Sequence, residues 1–118
     1  MSEGGTIFDK IINGQIPCKK VYETEDVLAF EDINPQAPFH CLVIPKKFDG
    51  LSQISKSEAK HEAILGKLMI AVGEIARQYK LNENGFRVVI NDGKDSGQTV
   101  FHLHIHILAG RELTWPPG

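Results

Sequence analysis

The most concentrated chemistry in this chain lies in Phe101-His102-Leu103-His104-Ile105-His106-Ile107-Leu108, where imidazoles and large apolar side chains alternate without a break. Successive side chains of a β-strand point to opposite faces, so an extended run sends Phe101, Leu103, Ile105 and Ile107 to one side and His102, His104 and His106 to the other. Same-face neighbours on a strand sit roughly 6.5–7 Å apart, close enough for consecutive rings to reach one ligand or one another's backbone. A packing or solubility role suits one histidine better than three in strict alternation. A metal site is a second reading, since His-x-His can present two nitrogens to zinc with His40 as a further donor, although no Cys-x-x-Cys or His-Glu-x-x-His element accompanies the row. Metal-free catalysis on phosphorus is the third: imidazole is nucleophilic when neutral, and an ordinary pKa of about 6.5 leaves much of it neutral at cellular pH.

The preceding loop bears on that choice. Asn91-Asp92-Gly93-Lys94-Asp95-Ser96-Gly97-Gln98-Thr99 separates two strand-like runs and exceeds the usual hairpin connection of about two to five residues. Gly93 and Gly97 let backbone N–H groups turn toward an anion, while Asn91, Ser96, Gln98 and Thr99 add neutral donors. A polar glycine loop alone is an ordinary solvated turn. Directly before three histidines it suits a phosphate.

Several elements must hold these residues in place. Thr6 suits the cap of a short helix whose apolar face is Ile7, Phe8, Ile11 and Ile12, stopped by Asn13-Gly14. Lys20 to Tyr22 and Val27 to Phe30 read as strands around a polar turn, Asn34 to Pro38 as a loop, and His40 to Pro45 as a buried strand. Ser55 and Glu58 match a capping box, which places the start of a long helix there. Its stripe is Leu65, Leu68, Met69, Val72, Ile75, Ala76 and Tyr79, and Asn84-Gly85 marks its exit. Phe86 to Ile90 and Val100 to Leu108 complete the strands. Three strands before a long helix and two after it favour an α+β domain with a mainly antiparallel sheet carrying its helix on one face.

A chain of 118 residues suits one domain, spanning 1–118, with a flexible segment over 1–5. The net charge of -2 argues against broad binding to nucleic acid, and no apolar run approaches a membrane span. Met1 to Thr6 carries no evident leader, so a cytoplasmic location with reduced Cys18 and Cys41 is expected, with the nucleus open.

His102 to Leu108 fits every position of His-φ-His-φ-His-φ-φ, with φ apolar, and here the sequence closely resembles the histidine-triad family. The similarity extends through Thr6-Ile7-Phe8, Asp32 to Pro38 with His40, Val43 to Lys47, and the final Trp115-Pro116-Pro117-Gly118, a combination similar to the Hint branch of purine nucleoside phosphoramidases. The resemblance implies a five-stranded antiparallel sheet with one short and one long helix, doubled into a ten-stranded sheet by a homodimer. It implies a metal-free site in which His104 is the nucleophile, attacking the α-phosphorus of a purine nucleotide to give a nucleotidyl-histidine that water hydrolyses to AMP or GMP. His102 then orients His104, and His40 supports the triad. His106, Asn91, Gly97, Gln98 and Thr99 serve the phosphate, with Thr99 able to pass a proton to the departing amine. Ile7, Phe8, Ile11, Phe30, Ile33 and Leu42 form the base slot, Asp32 serves the ribose, and Trp115 crosses the dimer toward the partner's site. Zinc, where bound, is not expected to be catalytic.

Three positions depart from the resemblance. Glu31 stands in place of a histidine, with an expected influence on ribose contacts or electrostatics near the base. Thr99 replaces serine and is shared with dinucleoside polyphosphate hydrolases, the rival activity; a nucleotide-binding regulator with incidental hydrolysis is the other alternative. Phe48-Asp49-Gly50 replaces the histidine after Lys46-Lys47, a change expected to stay within a surface turn. His61 is expected to face solvent.

Overall fold

The structure, a computed structural model, describes residues 5–118; residues 1–4, and with them most of the segment expected to be flexible, lie outside the described residues. Helix α1 (Ile7–Ile12) begins where expected: the Thr6 hydroxyl accepts the Phe8 N–H at 3.2 Å and Asp9 Oδ2 accepts the Thr6 N–H at 2.8 Å. Strands β1 (Lys20–Glu23), β2 (Val27–Glu31), β3 (Phe39–Pro45), β4 (Phe86–Val89) and β5 (Ile105–Ala109) form one antiparallel sheet in the order β1-β2-β3-β5-β4.

Alternation along these strands builds two cores. Val27, Ala29, Cys41, Val43, Ile105 and Ile107 face helix α2 (Glu62–Gln78), which contributes Leu68, Val72 and Ile75. Leu28, Phe30, Leu42 and Ile44 face the other way, against Phe8 of α1. The helices therefore cover opposite faces of the sheet, the long one packing on a single face as expected.

Strand β5 starts at Ile105, five residues later than its alternation suggested. Its ladder with β3 ends at the pair Val43 and Ile105, because Pro45 has no N–H to continue it, and the Leu103 N–H turns instead to the Leu51 carbonyl at 2.9 Å. Leu103 stays in the α2-side core, but Phe101, beyond the ladder, is 43% exposed. Helix α2 likewise begins at Glu62, not near Ser55. The Ser55 N–H is held by Asp92 Oδ2 at 2.8 Å, and residues 54–56 and 59–61 form single 3₁₀ turns before the helix proper.

Helix α2 closes earlier than Asn84-Gly85: Lys80 takes a left-handed φ of 60° and the Leu81 N–H reaches back to the Ala76 carbonyl at 2.8 Å, a Schellman arrangement. Of the apolar stripe, Met69 turns out to solvent at 52% exposure. Tyr79 is also exposed beyond the helix end, its hydroxyl donating to the Val21 carbonyl. No helix of the described residues is long and apolar enough to cross a membrane.

Candidate active site

The α1 face of the sheet carries the imidazoles. Leu42 pairs with His106 across β3 and β5, and His40, two residues before Leu42 on the same face, lies beside it. His104 follows at the mouth of β5, its ring 5.1 Å from that of His106. The Phe8 ring meets His102 and His104 edge-on, at 5.8 and 5.1 Å between centroids, so α1 packs directly on the row.

Hydrogen bonds fix the tautomers one after another. The Gln36 N–H donates to His40 Nδ1 at 3.0 Å, so the neutral His40 ring carries its proton on Nε2 and donates it to His106 Nδ1 at 2.9 Å. The remaining His106 proton is therefore on Nε2. His102 Nε2–H donates to the Pro45 carbonyl at 2.8 Å, and His104 Nδ1–H to the His102 carbonyl at 2.9 Å, which leaves a lone pair on His104 Nε2.

Electrostatics agree with neutral rings. Burial pushes His40 and His104 below the ordinary histidine value, opposed in His104 by its bond to the His102 carbonyl and in both by the Asp32 charge. Burial lowers His102 too, against the Pro45 carbonyl and Asp9. His106 falls to about 4, through burial first and then the neighbouring His104 and His40.

A cavity of about 460 Å³ opens in front of His104 and His106. Ile7, Phe8, Ile11, Phe30, Asp32, Ile33, Leu42 and Thr99 all line it, as the sequence reading grouped them. Ile16, Pro17, Cys18, Lys19 and Val100 line it as well and were missed. Ile16 to Lys19 lie on the connector after α1, where neither a helical nor a strand period picks them out. A second groove, of about 480 Å³ between α2 and the β1–β2 hairpin, holds no imidazole.

Most of the other predicted residues stand outside the cavity wall. His40 and His102 sit behind it as buried supports. Asn91 and Gly97 belong to the loop before β5 without lining it; Gly97 takes a left-handed φ of 91°. Gln98 is spent within that loop. Its Oε1 accepts the Gly93 N–H at 2.8 Å while its Nε2 donates to the Ser52 and Val100 carbonyls, so it braces the loop and is not aimed at the cavity. Trp115 is 80% exposed, with the Arg87 guanidinium 5.8 Å from its ring centroid. Glu31 pairs with Cys41 in the register, on the α2 side of the sheet, and its carboxylate meets Lys19 Nζ at 3.5 Å. Although it sits on that face of the strand, Glu31 also lines the cavity beside Asp32.

Two expectations about the flanking segments are corrected. His61 is 1% exposed: its Nδ1 accepts the Glu58 N–H and its Nε2–H donates to the Asp49 carbonyl, both at 2.9 Å. Phe48 belongs to no mere surface turn, since its ring packs 5.7 Å from His102.

Nitrogen and oxygen atoms of Asp32, His40 and His106 all lie within 4.8 Å of one another, a spacing that suits a metal ion. The tautomers do not suit one. His40 Nδ1 is committed as an acceptor to the Gln36 N–H, which keeps a proton on the very nitrogen, Nε2, that an ion would need bare.

Residues 13–113 match the HIT domain family. The chain belongs to that family. Among HIT-domain relatives it is 53% identical over 118 residues to the 14 kDa zinc-binding protein of Zea mays, covering 100% of this chain and 91% of that protein. It is 51% identical over 117 residues to the adenylylsulfatase HINT1 of Arabidopsis thaliana, covering 99% and 79%, which places it on the Hint-like side of the family. Its fold superposes on a HIT family hydrolase from Legionella pneumophila with a TM-score of 0.90 and 42% identity, over 95% of this chain and 98% of that one. The five-stranded antiparallel sheet is thus the HIT fold.

Proposed function

We propose that this HIT-domain chain is a purine nucleoside phosphoramidase that hydrolyses the P–N bond of adenosine or guanosine 5′-phosphoramidates. The coarser reading, a hydrolase acting on a nucleotide, draws support from relatives named a HIT family hydrolase and an adenylylsulfatase. One observation carries the finer reading: His104 Nδ1–H is committed to the His102 carbonyl, so the unprotonated Nε2 belongs to a ring lining a cavity with largely apolar walls and two carboxylates, Glu31 and Asp32.

In this mechanism the His104 Nε2 lone pair forms a bond to the α-phosphorus as the P–N bond breaks, its electron pair leaving with the amine, which takes a proton from the Thr99 hydroxyl or from solvent. The ring then carries the positive charge, with Nδ1–H still bonded to the His102 carbonyl. Water then attacks phosphorus, giving a proton back to Thr99 or to solvent, while the P–Nε2 bond breaks and returns its electron pair to Nε2, releasing AMP or GMP. His106 Nε2–H donates to a phosphoryl oxygen, a fixed electrostatic contribution that needs no reorganisation during reaction. Phe8, Phe30, Leu42 and Ile33 enclose the base, and Asp32 accepts from the ribose. No step calls for a metal ion.

Thr99 in the cavity wall favours dinucleoside polyphosphate hydrolysis as the second reading. Specificity constants for adenosine and guanosine phosphoramidates, adenylyl sulfate and dinucleoside polyphosphates, measured with and without a chelator, decide between them. Phosphoramidates are expected to lead, with no loss in chelator. His104→Ala is expected to cut turnover by about 10³-fold or more while nucleotide binding persists; a mutant as active as wild type overturns the nucleophile assignment.

A further inference from the structure

Segment 45–51 cradles the residues just before the nucleophile at three points. The Pro45 carbonyl accepts His102 Nε2–H, the Phe48 ring packs on the His102 ring, and the Leu51 carbonyl accepts the Leu103 N–H at 2.9 Å. His102 depends on this cradle, because its Nδ1 is buried without a hydrogen-bond partner, 3.9 Å from Asp9 Oδ1, which is also unpartnered. A ring held by one hydrogen bond can swing about it; here the rings of Phe8 and Phe48 supply the remaining restraint.

The cradle turns through a backbone that a side chain makes costly. Asp49 takes φ 47° and Gly50 φ 72°, and the Leu51 N–H closes the turn on the Phe48 carbonyl at 2.9 Å. Gly50 adopts that region freely, whereas Asp49 adopts it at a cost. What holds it is His61, buried at the threshold of α2, whose Nε2–H donates to the Asp49 carbonyl at 2.9 Å while Asp49 Oδ2 lies 3.5 Å from the same nitrogen. The other nitrogen is occupied by the Glu58 N–H, so the ring is anchored at both ends.

We infer that His61 is a positioning residue of the triad: by pinning the Asp49 carbonyl it sets the left-handed turn that places Phe48 and Leu51 against His102 and Leu103, and so aims His104. The inference rests on the reading of His104 as nucleophile. His61 touches no substrate and acts only through the turn.

The two anchors of His61 can be separated by substitution. Asparagine can reproduce the Nδ1 acceptor, but its amide N–H₂ stops short of the Asp49 carbonyl, while glutamine can reach with a donor where Nε2 stood. In single-turnover experiments that trap nucleotidyl-His104, His61→Asn is expected to slow its formation by about 10- to 100-fold, the scale of a small misalignment, with nucleoside monophosphate affinity within about threefold of wild type. His61→Gln is expected to recover most of the rate. Equal rates in wild type and His61→Asn, or equal losses in both variants, overturn the inference. Should His61→Asn fail to fold, Phe48→Leu, which leaves both His61 bonds intact, carries the same test: an unchanged rate overturns it.

Proton NMR separates this failure from failure of the phosphoramidase reading. The His102 and His104 ring signals are expected to shift in His61→Asn and to stay in place in His61→Gln, whatever the substrate. Unmoved signals in His61→Asn overturn the inference even for a protein active on phosphoramidates. Shifted signals in a protein with no such activity uphold the turn's role and overturn the reaction assigned to His104.

Discussion

Burial pushes the rings of His40, His102, His104 and His106 below the ordinary histidine value, and the hydrogen bonds among them assume neutral imidazoles. A nucleophile with a lowered pKa keeps its lone pair into mild acid. The acid limb of kcat/KM is therefore expected below the unperturbed imidazole value of about 6.5, and a limb at neutral pH or above contradicts the assignment. Stability follows the same linkage. With folded pKa values lowered, the unfolded chain binds protons first as pH falls through about 6.5, so the stabilisation present above that pH is lost toward the folded values. The His106 value of about 4 marks the lower end of the window. Melting curves from pH 7.5 to 5 are expected to show a falling Tm; a constant or rising Tm contradicts neutral burial.

Helix α1 spans only Ile7–Ile12, too short to persist alone, so its cap and its packing on the sheet must keep it in place. Phe8 serves both ends of the site, since its ring touches His102 and His104 and also lines the cavity. Thr6→Ala removes the hydroxyl that accepts the Phe8 N–H, at an expected cost of about 1 kcal/mol in stability. Because that change loosens the cavity wall formed by Ile7, Phe8 and Ile11 and leaves the β5 imidazoles alone, KM is expected to rise several-fold with kcat little altered, as steady-state kinetics can show. A fall in kcat alone would place α1 outside nucleotide binding. The loop before β5 is braced in a comparable way, with Asp92 accepting from Gln53 and the Ser55 N–H while Gln98 bonds Ser52.

At the scale of the whole molecule, β4 is an edge strand, and its outer side is free among the described residues to pair with another copy. Two sheets joined there give ten strands. The exposed Trp115, backed by Arg87, lies on the C-terminal segment that Arg87 also tethers through the Thr114 carbonyl at 3.0 Å. We propose a homodimer in which that segment reaches the partner's cavity. Sedimentation is expected to give twice the 13.1 kDa chain mass, and Trp115→Ala to change substrate preference with the dimer intact. A monomer in sedimentation removes the proposal.

Local patterns in the sequence determined much of this. Thr6 before an apolar face located α1, the run from His40 to Pro45 located β3, and the alternation of residues 103–107 sorted Leu103, Ile105 and Ile107 from His104 and His106. The residues grouped by family resemblance as a base slot do meet at one cavity. Tertiary structure decided what depends on partners far along the chain. Strand β5 starts only at Ile105 because Pro45 cannot extend the ladder, and α2 starts late because Asp92 holds Ser55. His61 is buried because a turn twelve residues earlier needs its Nε2–H. Side-chain period reports which face a residue prefers, but a hydrogen bond to a distant carbonyl leaves no periodic trace.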